Sequence, residues 1–262
     1  MNFALAAPAV EPALLVPLGA FGLVFGSFVT ALSYRLPRGE SIARGRSRCT
    51  ACGHTLTAPD LVPVISWMIQ GGACRHCRAK VSWRYPAIEA VTMALFIAAG
   101  LLARDVGHLI LLLAATPPMV ALAVIDLEHR RLPDSLVITL ALLALALRWT
   151  GDGALLTGLT TAAVVGALGV ALDSAFRALT QKPGLGMGDT KLFAVAGLAL
   201  PLGPFLLFLA AAGGFGVLFG GVWRRRTGSG QFPFAPAILT ALWLSLAAGD
   251  TLFQQLVTLY SR

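Results

Sequence analysis

The chain has 262 residues, of which 57% are hydrophobic and only 12% charged, with a formal net charge of +8 and a mean hydropathy of +0.79. A soluble domain cannot cover that much apolar surface, so a water-soluble enzyme is excluded and an integral membrane protein is implied. The excess of positive charge then has to be explained by topology before any nucleic-acid partner is invoked.

A span across the hydrocarbon core needs about 20 mostly apolar residues, and eight stretches approach that requirement: 14–34, 86–103, 108–125, 135–149, 154–179, 190–200, 202–223 and 234–260. The predicted fold is therefore an all-α polytopic membrane protein of about eight transmembrane helices. The sixth stretch is short and stops at Pro201, which makes a tilted half-helix and a seven-span count the rival reading. The first stretch has no basic region before it and no small-residue cleavage site, so it reads as a retained helix. We divide the chain into a first transmembrane helix (1–34), a polar four-cysteine insert between the first two helices (35–85) and a transmembrane core (86–262).

Orientation follows from the basic residues. Placing 35–85, 126–134, 180–191 and 224–232 on one side gathers every Lys and Arg there, Arg177 at a helix end included, except Arg104, Arg148 and Arg262. The positive-inside rule makes that side cytosolic and both termini external. The charge thus calls for no nucleic acid, although basic loops also suit anionic lipid headgroups.

All four cysteines lie in the insert, as Cys49-Thr50-Ala51-Cys52 and Cys74-Arg75-His76-Cys77. Two close thiolate pairs close a tetrahedron around zinc, the expected ligand set being Cys49, Cys52, Cys74 and Cys77. Two disulfides are the alternative, disfavoured in a reducing cytosol. A short insert with few large apolar residues would draw much of its folding energy from the metal. His54 and His76 adjoin the pairs and are substitute ligands or surface residues.

Carboxylates at helix ends form the second chemical feature. Asp126 closes the third span in the run Ile125 to Asp134, and Asp189 follows Gly186-Met187-Gly188. Charges beside hydrocarbon are costly and are functional candidates by default. Two carboxylates brought together share a proton, giving a base to activate water and an acid to protonate a leaving amine. Each also has a structural reading: Asp189 and Asp134 as helix caps, Asp126 as a partner of Arg130 one turn later. The helix ends would make Asp189, at an N-terminus, the base and Asp126, at a C-terminus, its acid partner. Asp173 is a further polar residue within a span, lining the same cleft or packing helices. Gly186 and Gly188 allow positive φ or a close backbone approach. Acids in the spans also suit a proton-coupled transporter, and the insert alone suits a non-catalytic scaffold.

The combination is more specific than its parts. Gly26-Ser27-Phe28 running into Arg35-Leu36-Pro37, the cysteine pairs flanking Asp60-Leu61-Val62-Pro63, then Ser82-Trp83-Arg84-Tyr85-Pro86 with Glu89, Leu132-Pro133-Asp134 after Asp126, and Gly186-Met187-Gly188-Asp189-Thr190-Lys191 together resemble the bacterial type IV prepilin peptidases. Thr30, Thr50 and Ala73 depart from the usual family wording. The resemblance implies a membrane aspartic endopeptidase that removes the basic leader of prepilins and pseudopilins after a Gly, with Asp126 and Asp189 catalytic. It also implies methylation of the new N-terminus with S-adenosylmethionine, a function such peptidases place in the N-terminal half, where the three departures lie. The expected location is the bacterial inner membrane, with the zinc insert and active site on the cytosolic side.

Overall fold

A computed structural model describes residues 11–149, 155–181, 184 and 186–260. These residues form helices and short turns, and their β content is limited to two isolated bridges, Arg48 with Thr55 and Ala73 with Lys80. The helices are α1 (Leu15–Arg35), α2 (Ile65–Ile69), α3 (Arg84–Leu102), α4 (Val106–His129), α5 (Asp134–Trp149), α6 (Leu155–Thr180), α7 (Met187–Ala199), α8 (Leu202–Thr227) and α9 (Ala235–Tyr260). Apart from the single turn of α2, they fall where the eight apolar stretches predict them. Six, namely those containing α1, α3, α4, α6, α8 and α9, are long and apolar enough to cross a bilayer unaided. The start of the fifth stretch, at residue 154, lies outside the described residues.

The chain divides into two compact units, residues 1–121 and 122–262, with α4 running through the boundary. In the first unit α1 packs antiparallel on α3 along a row of glycines. A Cβ at Gly22 would lie 2.6 Å from Met93 Cα, and one at Gly26 would lie 2.6 Å from Glu89 Cα. Where lipid tails are as apolar as Leu, such close backbone approach is what binds helices together.

In the second unit α7 is the central element, touching α5, α6, α8 and α9. Its 13 residues make a rod of about 20 Å, shorter than a bilayer core of about 30 Å. The half-helix reading is thus correct for its length. Because α7 ends inside protein, its last carbonyls need internal partners. Arg148, buried on α5, supplies one through Nε to the Leu198 carbonyl at 2.9 Å.

Candidate active site and metal centre

The four cysteine sulfurs in the first unit lie within 4.8 Å of one another, and the histidines are not part of that group. His54 and His76 instead stack on each other with centroids 4.5 Å apart. Each cysteine pair is folded in the same way. The amides of Cys49 and Cys74 donate to the carbonyls of His54 and Ala79, and Gly53 and Arg78 return bonds to the carbonyls of Cys49 and Cys74. Both returning residues have positive φ, +71° at Gly53 and +59° at Arg78. Two equal turns thus present four thiols to one point.

That point suits a metal. A tetrahedral zinc with Zn–S of about 2.3 Å sets its sulfurs about 3.8 Å apart, and Cys49 Sγ lies 3.9 Å from Cys77 Sγ. None of the four is disulfide-bonded. Backbone amides of Cys52 and Ala51 hold the Cys49 thiol down at about 7. At Cys77 the Ala79 amide acts in the same direction, but burial and the three neighbouring thiols outweigh it and push the group up to about 11. Four thiolates cannot coexist in so small a space without a cation among them.

Asp60 ties the insert together. Its Oδ2 accepts from the Thr57 amide and hydroxyl at 3.0 and 2.6 Å, and its Oδ1 meets Gln70 of the α2 turn and Arg75 of the second cysteine pair at 3.2 and 3.1 Å. The Thr57 bonds, aided by Arg75 and Gln70, hold its carboxyl below the ordinary 3.8.

Asp126 and Asp189 lie near each other within the second unit. Asp126 sits in the last turn of α4, is buried, and its Oδ2 accepts from the Ala235 amide at 3.1 Å. Ala235 opens α9, so the carboxylate occupies the N-terminal end of a helix distant in sequence. Arg130 adds electrostatic attraction. Asp189 lies in the first turn of α7, half-buried, close enough to Asp126 for the two charges to repel. Gly186, and not Asp189, occupies the N-cap position of α7. Because both acids face helix N-termini, the contrast drawn from helix ends does not assign the base.

The glycines before Asp189 provide close approach, not positive φ: Gly186 has φ −62°. A Cβ there would lie 3.3 Å from Asp189 Oδ2, and one at Gly188 would lie 2.7 Å from Leu132 Cδ1. Leu132 belongs to the corner after Asp126, so Gly188 lets the turn carrying one acid rest against the corner carrying the other. Lys191 Nζ and Asp134 Oδ1, 2.6 Å apart, join the same two segments. Behind them Asp173, buried on α6, accepts from Arg177 Nε at 2.7 Å and from the Gly184 amide at 3.0 Å. It thereby braces the loop entering α7, a role for which an Asp within a span is a general signal but gives no address.

The sequence reading missed Phe232-Pro233-Phe234-Ala235. Gly216 and Gly220 of α8 leave room for the rings of Phe234 and Phe232. Phe234 also meets Phe193, one turn beyond Asp189, with centroids 6.2 Å apart. Pro236 at the second helical position marks a helix start, but nothing local says which carboxylate that start will receive.

The family described as Bacterial Peptidase A24 N-terminal domain matches residues 20–102, and the Type IV leader peptidase family matches residues 113–221. A Prepilin leader peptidase/N-methyltransferase of Bacillus subtilis (strain 168) is 34% identical, the match covering 88% of this chain and 93% of the relative. The chain belongs to the type IV leader peptidase family. Other relatives in the family include a Prepilin leader peptidase/N-methyltransferase of Aeromonas hydrophila, 33% identical over 91% of this chain and 92% of its own length. A Type 4 prepilin-like proteins leader peptide-processing enzyme of Escherichia coli O78:H11 is 31% identical over 88% and 91%. No solved structure matches the chain. Within a leader peptidase family, the paired acids of the second unit and the four thiols of the first are the two features with evident chemistry.

Proposed function

We propose that this chain is a multi-pass membrane endopeptidase that removes the leader of prepilins and pseudopilins after a Gly, and that it then methylates the exposed N-terminal amine. The observation that carries the peptidase reading is the buried Asp126 near Asp189, two carboxylates close enough for their charges to repel, an arrangement in which a pair holds one proton between them. In that state the ionised member takes a proton from water, whose oxygen attacks the scissile carbonyl carbon. The protonated member donates to the carbonyl oxygen; the other, now carrying the water's proton, passes it to the amine as the C–N bond breaks, while the first takes its proton back from the tetrahedral hydroxyl. The Ala235 amide fixes the direction in which Asp126 presents its free lone pairs.

Zinc fits the four thiols and supplies cohesion to the insert 35–85 rather than chemistry, since all four positions are filled by protein sulfur. The methyl donor is S-adenosylmethionine, the group the resemblance implies. Charge asymmetry supports a bacterial inner-membrane location with insert and dyad at the cytosolic face. We treat residues 86–262 as the peptidase core. A prepilin's basic leader stays cytosolic by the same rule, and its apolar segment presents the junction at the interface.

The experiment is incubation of purified protein with a prepilin in detergent, followed by mass spectrometry with and without S-adenosylmethionine. The reading requires leader loss in both arms and one added methyl group in the second. Leader loss undiminished in Asp126→Asn or Asp189→Asn would overturn the aspartic mechanism.

A further inference from the structure

At the end of the second unit that carries the dyad, the exposed charge is mostly positive. Arg131, just after α4, and Arg224, Arg225 and Arg226, in the last turn of α8, are exposed, and among the described residues none of them takes part in an ion pair. Arg130 Nη2 approaches the Gln231 carbonyl at 3.5 Å, which brings the corner after α4 beside the loop between α8 and α9. A basic peptide approaching the two acids therefore meets repulsion unless a carboxylate at the rim offsets it.

Asp134 is the acid placed to do so. Among the described carboxylates at this end, Asp126 and Asp189 are the dyad, and Asp173 is buried against Arg177 and the Gly184 amide. Glu128, two residues beyond Asp126 on α4, points to another side of that helix. Asp134 opens α5, and its side chain is 65% exposed. Its Oδ1 lies 2.6 Å from Lys191 Nζ, and among the described residues Oδ2 has no partner. A carboxylate accepts at about four lone-pair sites, so Lys191 leaves most of that capacity open. An ion pair so exposed adds little to stability, but it fixes where the carboxylate stands. Lys191 follows Asp189 by two residues on α7, and Leu132, two residues before Asp134, is the side chain on which Gly188 rests. Asp134 is thus tied to both segments that carry the catalytic acids.

We propose that Asp134 is a specificity-determining residue: its Oδ2 receives a basic side chain of the prepilin leader, while Lys191 holds the carboxylate in place through Oδ1. This rests on the leader-peptidase reading above. With the scissile bond at the dyad, an extended leader covers about 3.3–3.6 Å per residue, so its last few residues, with the reach of their own side chains, span the rim. Lys191 is a positioning residue, and Asp134 touches substrate without taking part in proton transfer. The charge pattern then selects in two ways. The rim arginines disfavour a basic peptide elsewhere, and the exposed carboxylate beside the dyad favours a basic residue at one register.

The test crosses enzyme variants with substrate variants. Purified full-length wild type, Asp134→Asn and Asp134→Glu are each given a prepilin in detergent, and a set of prepilins in which the basic leader residues are changed to Gln one at a time. Leader removal is followed as kcat and KM, alongside melting temperature. Wild type should lose about fivefold in kcat/KM, the upper end for an exposed charge pair, when one particular leader residue is changed. Asp134→Asn should show that loss already with the unchanged prepilin, falling on KM rather than kcat, and no further loss at that residue. Asp134→Glu keeps the charge and should keep part of the discrimination, which a purely structural strut would not do. A carboxylate that only spaces the dyad would lower kcat alike for every leader. That pattern, or enzyme and leader changes that combine independently at every position, overturns the assignment. Wild type that removes the leader from none of the prepilins overturns the peptidase reading itself, an outcome distinct from the others.

Discussion

Replacing Gly188 by Ala adds one methyl group where there is no room for it. The new Cβ would stand 2.7 Å from Leu132 Cδ1 and 3.2 Å from Leu132 Cβ and Cγ, more than 1 Å inside ordinary contact at the first atom. Leu132 is held between Arg131 and Pro133 at a tight corner, so the strain is relieved by sliding the first turn of α7 away from that corner. Overpacking of this kind costs about 1–3 kcal/mol. The larger effect falls on catalysis, because the turn that moves carries Asp189 while the corner is continuous with Asp126. A displacement near 1 Å in a catalytic pair costs about a hundredfold in rate. Gly213→Ala is the internal control: its Cβ meets nothing within 4 Å, and helix propensity favours Ala by about 1 kcal/mol. Initial rates of leader removal and melting in detergent should show Gly188→Ala slowed 10- to 100-fold, by the same displacement estimate of about a hundredfold at most, and Gly213→Ala cleaving as wild type. Equal rates for the two variants would refute the claim that Gly188 sets the spacing of the acids.

Asp126→Asn or Asp189→Asn should reduce cleavage about a thousandfold or more, since an amide keeps the shape but exchanges no proton; Asp134→Asn, which loses only the exposed Lys191 pair, should cost far less by the same assay. Elemental analysis should find one zinc per chain, lost when either cysteine pair is changed to Ser. Asp60→Asn should release zinc faster to a chromophoric chelator at neutral pH. Because the folded Asp60 carboxyl lies below its ordinary 3.8, its contribution is complete above that value, so wild type and variant should differ at every pH at which the thiolates still hold zinc. Asp173→Ala removes the acceptor of the Gly184 amide and of Arg177 and should lower both melting temperature and cleavage, whereas Asp173→Asn, which still accepts the Gly184 bond, should lose less.

What the sequence made legible was local or repeated. The helices follow from runs of apolar residues, the cysteine centre from two identical four-residue turns, and the candidate acids from charges placed where hydrocarbon punishes them. What remained hidden depends on partners far apart in the chain. The Ala235 amide reaches Asp126 across more than a hundred residues, and no pattern around either residue encodes the pairing. The glycines show the same limit in detail. Gly213-Gly214-Phe215-Gly216 and Gly220-Gly221 suggest close helix packing, yet Gly213, Gly214 and Gly221 face open space, while Gly216 and Gly220 admit Phe234 and Phe232.

That last contact changes how the acids are understood. Reading helix ends along the chain sets Asp126 at a C-terminus and Asp189 at an N-terminus, and on that ground alone assigns acid and base. The fold brings a second N-terminus to Asp126, held there by Phe232 and Phe234 packed on α8 and by Phe193 of the helix that carries Asp189. Asp126 therefore meets the first amide of α9 while Asp189 lies in the first turn of α7, and the aromatic cluster ties the two helix starts to each other. A pair so arranged titrates as one unit. Such sharing suits a hydrolase in which one carboxyl must act as base toward water and the other as acid toward the leaving amine, then exchange states before the next turnover. The segment before α9 is on this view part of the active site, although none of its side chains carries a charge.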